Sequence, residues 1–314
     1  DNGNTVLSNV VSSQINVHSK FGGVIPEVAS RLHIENISVV LEEALQKAQV
    51  TLDSVDAIAV TQGPGLVGSL HVGLLAAKTL AWSTGKPLVP IHHIAGHIYA
   101  NAFVDTIEYP LLALVVSGGH TELVYLKSEW DFEILGSTQD DAVGEAYDKV
   151  ARVLHLPYPG GPAIDKLAKL GQAQYTLPRV KTEEPLNFSF SGLKSAVLQL
   201  VQREAKTNTP IRQENLAYAF QEAVLGELVR KTRLALDTHK VRHLVLAGGV
   251  AANSRLRVLI QDLKNDYPEL KITIPPLWCC TDNAAMIGAA GEVAYRHGVR
   301  GKLDISADPG LEYK

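Results

Sequence analysis

The chain has 314 residues, 46% of them apolar and 20% charged, with a net charge of −4. That is material for two hydrophobic cores, and it argues against a protein coated in basic residues for general nucleic-acid binding. No apolar run reaches the length of a membrane span and no secretory signal opens the chain; the only cysteines, Cys279 and Cys280, are adjacent and poorly placed to bridge each other, so a reducing setting is expected, cytoplasmic or, in a eukaryote, mitochondrial.

Thr5-Val-Leu-Ser-Asn-Val-Val-Ser12 reads as a strand that needs neighbours. Asp1-Asn-Gly-Asn4 ahead of it resembles a hairpin turn, which implies a preceding strand in the native fold. Apolar positions recur with helical period from 34 to 48. Asp56–Thr61 is expected as a buried strand. Gly63-Pro-Gly-Leu-Val-Gly68 follows as a turn, then a helix of small residues from about 69 to 84, whose face suits a partner, a second copy or the core. Pro87–Ile91 is a further short strand. It leads into Pro90-Ile-His-His-Ile-Ala-Gly-His-Ile-Tyr-Ala-Asn101, where a helix would carry His93 and His97 on one face, one turn apart, as a metal needs. The plainer reading is that one histidine packs or caps and the other is solvated.

A second unit is expected from Tyr109-Pro110 onward, dividing the chain into 1–109 and 110–314, with the last helix packing back toward a cleft between the two. Leu111–Val116 and Thr121–Leu126 form strands joined by the tight turn Ser117-Gly-Gly-His120. Helices follow at about 140–154, 161–170, 191–205 and 212–238. Val241–Ala247 is a buried strand, Gly248-Gly249 a turn, and 252–264 a helix; Ile272–Pro275 and a helix over 281–298 close the pattern. The alternation of strands, glycine turns and helices indicates an α/β layer fold.

Three glycine turns follow apolar strands: Gly63/Gly65/Gly68, Gly118/Gly119 and Gly248/Gly249. Glycine lets backbone N–H groups approach an anion, and a helix starting next adds its dipole, so a phosphate or nucleotide site is expected. The first turn lacks the lysine of a P-loop, having Ser69 and Leu70 there, which excludes a P-loop NTPase. A strand–Gly-Gly–strand hairpin and a later strand–Gly-Gly–helix point instead to the two-domain architecture shared by actin and the sugar kinases.

The remaining polar residues each admit two readings. Asp141, Glu145, Asp148 and Arg152 fall at helical spacing, either as internal ion pairs of a solvated face or with Asp148 accepting hydrogen bonds from ligand hydroxyls. Asp165 caps or pairs, or joins the ligand site beside Gly161. Phe188 and Phe190 pack as an edge strand or flank a substrate channel, with Lys194 touching phosphate. Residues 179–242 hold eleven Lys/Arg against seven Asp/Glu, a solvated face or a phosphate-facing one. Asn253 is an ordinary helix residue or bonds a ligand held by Gly248-Gly249. Asp282 is the N-cap of the last helix, or the third ligand of His93 and His97, in a set that suits Fe(II), Zn(II) or Mn(II).

Six segments occur in order: His93-Ile-Ala-Gly-His97, Val116-Ser-Gly-Gly-His-Thr-Glu-Leu123, Asp140-Asp-Ala-Val-Gly-Glu-Ala-Tyr-Asp-Lys149, Phe188-Ser-Phe-Ser-Gly-Leu-Lys194, Ala247-Gly-Gly-Val-Ala-Ala-Asn253 and Cys280-Thr-Asp-Asn-Ala-Ala285. Together they resemble the bacterial TsaD branch of the universal tRNA threonylcarbamoyladenosine synthase family, over essentially the whole chain. The resemblance implies an actin-like two-domain fold with a nucleotide cleft. It implies transfer of threonylcarbamoyl from L-threonylcarbamoyladenylate to N6 of the adenosine beside the anticodon, in tRNAs reading codons that begin with A. It assigns His93, His97 and Asp282 to a metal, expected to be Fe2+, and Val116, Ser117, Gly118, Gly119, His120, Asp148, Gly161, Asp165 and Asn253 to the adenylate. TsaB-like and TsaE-like partners or a homodimer are further expectations. Two departures stand out: the family's acidic strand ahead of Asn2-Gly3 is absent here, and Val115 stands where archaeal and eukaryotic relatives carry a tyrosine ligand.

Two rival classes are weaker. A zinc protease needs glutamate beside the first histidine, and Ile94 stands there. A kinase or a non-catalytic scaffold does not account for two histidines and an aspartate kept together with the glycine turns.

Overall fold

In chain order the helices and strands of the first part are α1 (Ile15–His18), α2 (Pro26–Ala48), β1 (Ile58–Gly63), α3 (Val67–Thr84), β2 (Leu88–His92) and α4 (His93–Tyr99). Then come β3 (Leu111–Val116), β4 (Thr121–Leu126), β5 (Phe132–Ser137), α5 (Val143–Val153), α6 (Gly160–Ala168), α7 (Ser191–Lys206) and α8 (Gln213–Thr238). The last are β6 (His243–Ala247), α9 (Ser254–Asp262), β7 (Lys271–Thr273), α10 (Leu277–Cys280) and α11 (Ala284–Arg296). This computed structural model describes residues 2–206 and 210–313. Among them, no helix is long and apolar enough to cross a membrane.

The chain folds as two units. One comprises Asp1–Ile107, Ser128–Phe132 and Thr281–Lys314, the other Glu108–Lys127 and Glu133–Cys280. The first boundary lies next to the expected 109/110 break. The division differs from the expected 110–314 unit at the far end, because α11 packs against α4, β1 and β2 and so belongs with the first unit.

In the first unit β1 and β2 pair in parallel, Ile58 opposite Leu88 and Ile91 opposite Thr61. Pro26 opens α2 at a position where a missing N–H costs nothing, and Gly85 ends α3 in the left-handed region at φ 68°. Gly96 lets α4 lie close on α11: a Cβ there would sit 2.7 Å from the Ile287 Cδ1. Asn2 and Gly3 adopt positive φ (51° and 70°), as a hairpin turn does. Residues 5–12, expected as a strand, join no ladder among the described residues; Ser8 instead donates from Oγ to the Ala44 carbonyl on α2.

In the second unit the sheet order is β5-β4-β3-β6-β7. β3 runs antiparallel to β4 and parallel to β6, and β6 is parallel to β7. The run Leu-Leu-Ala-Leu-Val-Val of β3 is buried throughout, the pattern of a central strand covered on both faces. Leu112, Leu114, Val116, Leu244 and Leu246 join a core with Val143, Tyr147 and Val150 of α5, Ile164 of α6, Phe220 of α8 and Leu256 of α9. Phe188 and Phe190 are fully buried in this core, their rings 6.1 Å apart, which corrects the substrate-channel reading. Each contributes about 2–3 kcal/mol by burial, which a channel wall would forgo.

Candidate functional site

The two histidines and the aspartate come together within the first unit. His92 ends β2 and caps α4, its Nδ1 accepting from the Ile94 N–H at 3.3 Å. α4 then presents His93 and His97 one turn apart, their rings edge to face with centroids 4.8 Å apart. The expected helix over 281–298 forms but starts three residues later: α10 stops at Cys280, and Asn283 caps α11, accepting from the Met286 N–H at 2.9 Å. The capping role thus falls to Asn283, and Asp282 is released. Its Oδ1 lies 3.5 Å from His93 Nε2 and 3.3 Å from His97 Nε2.

The three donor atoms lie within 4.8 Å of one another. A divalent ion with bonds of about 2.1 Å holds neighbouring donors roughly 3.0–3.5 Å apart; both Asp282–imidazole distances match that, and the imidazoles need to draw slightly closer to each other to share one ion. Burial lowers the His97 pKa against the opposing pull of the Asp282 hydrogen bond, favouring the neutral ring that a metal requires. Desolvation by the surrounding protein, modest because the side chain itself is exposed, raises the Asp282 carboxyl, but hydrogen bonds from His93 and His97 outweigh it and hold the group well below the usual carboxylate range. The Asp282 side chain remains open to solvent at 79%, so ionic strength screens these pairs.

The second unit gathers the residues expected at the adenylate. The turn at the β3–β4 hairpin is closed by Ser117 N–H donating to the His120 carbonyl at 2.8 Å and His120 N–H donating to Ser117 Oγ at 3.0 Å. Two neighbours press against it. Gly144 donates from its N–H to the Ser117 carbonyl at 3.1 Å, and Gly248, at φ 90°, abuts the Val116 carbonyl. Gly118, Gly119 and Gly161 have nothing within 4 Å of where a Cβ would sit. Such bare backbone beside open space is what a phosphate or sugar needs for close approach.

Asp148 accepts from the Gly160 N–H at 2.7 Å, so the start of α6 is tied to α5; burial raises its pKa, partly offset by that bond. Asp165 accepts from the Ser254 Oγ and N–H at the start of α9 and pairs with Lys169 at 3.4 Å. Asn253 caps α9 through the Leu256 N–H and donates to Gln221 Oε1, so both its polar ends are engaged within the protein. Of the acidic helix face expected over 140–154, Lys149 pairs with Asp141 and Glu145. Lys194 lies in the first turn of α7.

Two residues escaped the sequence reading. Asp140 accepts from the N–H groups of Phe190 and Ser191 and the hydroxyls of Ser189 and Ser191, pinning the start of α7. An acid three residues after a strand, with serines about fifty positions on, leaves no periodic trace. Glu122, directly after the hairpin turn, has Oε2 buried without a hydrogen-bond partner. A charged residue inside the otherwise apolar Leu-Val-Tyr-Leu strand was the available signal.

Burial pushes the Glu122 carboxyl up to about 7 from 4.5. The folded state therefore holds a proton that the unfolded chain releases, and its stabilising contribution is full below pH 4.5 and lost as pH rises to 7. We expect Glu122→Gln to match the parent protein at pH 4.5 and to exceed it by about 3 kcal/mol above pH 7. Parallel pH dependences of the two proteins in thermal melts would contradict this.

The chain is similar to known proteins over nearly its whole length. A family model described as "TsaD: tRNA N6-adenosine threonylcarbamoyltransferase" matches residues 5–289. The tRNA N6-adenosine threonylcarbamoyltransferase of Bacillus licheniformis is 56% identical over 99% of this chain and 92% of its own length. The enzyme of that name from Bacillus subtilis is 54% identical over 99% and 90%. Among solved structures, T. kodakarensis HypF superposes with a TM-score of 0.60 at 14% identity, over 83% of this chain and 44% of HypF. This chain thus spans less than half of HypF, and the likeness speaks to the shared fold alone.

Proposed function

This chain belongs to the TsaD family of tRNA N6-adenosine threonylcarbamoyltransferases, transferases that modify tRNA on an actin-like α/β fold, and from that premise we propose the details of its reaction. The donor is L-threonylcarbamoyladenylate, the acceptor is N6 of the adenosine beside the anticodon in tRNAs reading A-starting codons, and AMP is released. The observation that carries the reading is the convergence of His93 Nε2 and His97 Nε2 on Asp282 Oδ1, at 3.5 and 3.3 Å. These three residues would hold one Fe2+, with Zn2+ or Mn2+ as substitutes of compatible donor preference. Such an ion supplies Lewis acidity toward the acyl or phosphate oxygens of the donor.

The protein's own groups supply the rest. Gly118, Gly119 and Gly161 offer backbone that a phosphate or sugar can reach, and Val116, Ser117 and His120 shape that turn. Asp148 and Asp165 retain free lone pairs for ligand hydroxyls after their bonds to Gly160 and Ser254. Asn253 supports this set by capping α9 rather than by reaching outward. An exocyclic adenine amine is a weak nucleophile, so the mixed anhydride of the donor must be held rigidly and its developing charge met by preorganised N–H groups. Lys194 is a candidate contact for tRNA phosphate. TsaB-like and TsaE-like partners, or a homodimer, complete the reading, with the cytoplasm as its setting.

The deciding experiment joins elemental analysis of the purified protein to transfer of labelled threonine from the adenylate to tRNA, with and without such partners. Iron near one per chain and transfer lost on chelation are expected. Undiminished transfer by thoroughly metal-free protein would end the metal-assisted reading.

A further inference from the structure

We propose that His92 is a positioning residue for the ligand helix α4, and that the segment Ser306–Tyr313 is the strap that holds it. The inference rests on the proposed metal reading for one of its two readouts only. α4 has seven residues, too few to set its own orientation, so its direction must come from its ends. At the front end His92 uses both ring nitrogens: Nδ1 accepts from the Ile94 N–H and Nε2 donates to the Leu311 carbonyl at 2.9 Å. That pairing fixes one neutral tautomer. The Tyr313 ring stacks on His92 at 4.0 Å and 25°, and Phe132 stacks on Tyr313 at 4.9 Å and 16°.

The aromatic contacts continue to the far end of the helix. Phe132 meets Trp130 edge to face at 5.3 Å, and Trp130 stacks at 5.8 Å on Tyr99, the last residue of α4. The Tyr99 hydroxyl also accepts from the Trp130 N–H at 3.2 Å. Both ends of α4 are thus tied into one set of rings that includes the strap. The strap itself is seated by backbone bonds. Asp308 N–H donates to the Gln62 carbonyl at 3.0 Å, and Gly65 N–H donates to the Pro309 carbonyl at 3.3 Å. Gln62 Nε2 adds a bond to the Ser306 carbonyl at 3.1 Å. Gly63 makes room for it, since a Cβ there would lie 1.8 Å from the Asp308 carbonyl oxygen.

His93 directly follows the anchored ring and His97 lies one turn on, so a rotation at His92 carries both imidazoles away from Asp282 together. Outer partners that orient metal ligands are worth roughly 10- to 100-fold in affinity.

Four variants of the full chain test this: Tyr313→Ala, Tyr313→Phe, His92→Ala and His92→Asn. Co2+ affinity is read by competition with a chromophoric chelator, and amide exchange across α4 is read in metal-free protein. Tyr313→Ala and His92→Ala should weaken Co2+ about tenfold or more and speed exchange at α4 while β3 stays protected. Tyr313→Phe keeps the stack and should stay close to the parent. His92→Asn restores a cap and should recover part of the loss. Two alanine variants that bind Co2+ and exchange like the parent would overturn the proposal, as would exchange that quickens equally in β3. Should the parent itself bind no Co2+, the metal reading fails, and faster exchange confined to α4 still decides for the strap, unchanged exchange against it.

Discussion

His97→Ala and Asp282→Ala are each expected to remove the bound metal and to lower threonylcarbamoyl transfer by about a thousandfold or more, corresponding to some 4 kcal/mol of transition-state stabilisation. The two substitutions act from opposite sides. His97 is almost fully buried in α4 and contributes a neutral imidazole, whereas Asp282 is solvent-exposed and contributes charge. Loss of either leaves two donors, too few to hold a divalent ion against water. Because Asn283 caps α11, Asp282→Ala should melt at nearly the parent temperature, which separates loss of metal from loss of fold. Retention of stoichiometric metal by both variants would sink the assignment of these ligands.

Gly248→Ala carries the second large effect. Gly248 adopts φ 90° and ψ 171°, a region that side chains avoid at a cost of about 1–3 kcal/mol. A Cβ there would also sit 2.4 Å from the Val116 carbonyl oxygen and 2.8 Å from its carbon, both backbone atoms that cannot swing aside. The combined cost should reach at least about 3 kcal/mol, lowering the melting temperature by roughly 6 °C or more. The push falls on the Val116–His120 turn, so transfer should collapse as well. Gly118→Ala is the informative companion, since a Cβ there meets nothing within 4 Å. It should melt like the parent yet bind the adenylate poorly, its methyl group occupying the ligand's space. Equal melting of Gly248→Ala and Gly118→Ala would refute the steric account, and unimpaired donor binding by Gly118→Ala would remove that turn from the site.

The parts of the fold that were legible in the sequence are those where burial is continuous. Leu111–Val116 and Thr121–Leu126 stand where expected because β3 is covered on both faces and a four-residue turn joins it to β4. β5 went unrecognised because Phe132-Glu-Ile-Leu-Gly-Ser lies partly exposed and shows no clean alternation. Thr5–Ser12 has strand composition but no neighbour to pair with, and composition alone builds no ladder. At the site, the spacing of His93 and His97 announced itself, as did the glycine turns. The identity of the α11 cap did not, because Asp282 and Asn283 are adjacent and equally suited to capping. Likewise the ring of Tyr313 on His92 is a contact between residues 221 positions apart in number, of which neither residue gives a local sign.

The first unit is interrupted by the second, with α11 and the strap arriving only at residues 281–314. On a ribosome adding about 5–20 residues per second, the segment that bears His93 and His97 waits roughly ten to forty seconds for Asp282 to be made. The second unit, nearly continuous from Glu108 to Cys280, is free to fold in that interval. A nascent chain therefore carries two of the three proposed ligands without the third, and on the proposed metal reading loading waits until translation is almost over. On that reading the interleaved topology makes acquisition of an ion a late event in the life of the polypeptide, and a prematurely terminated chain lacks the third ligand needed to keep it.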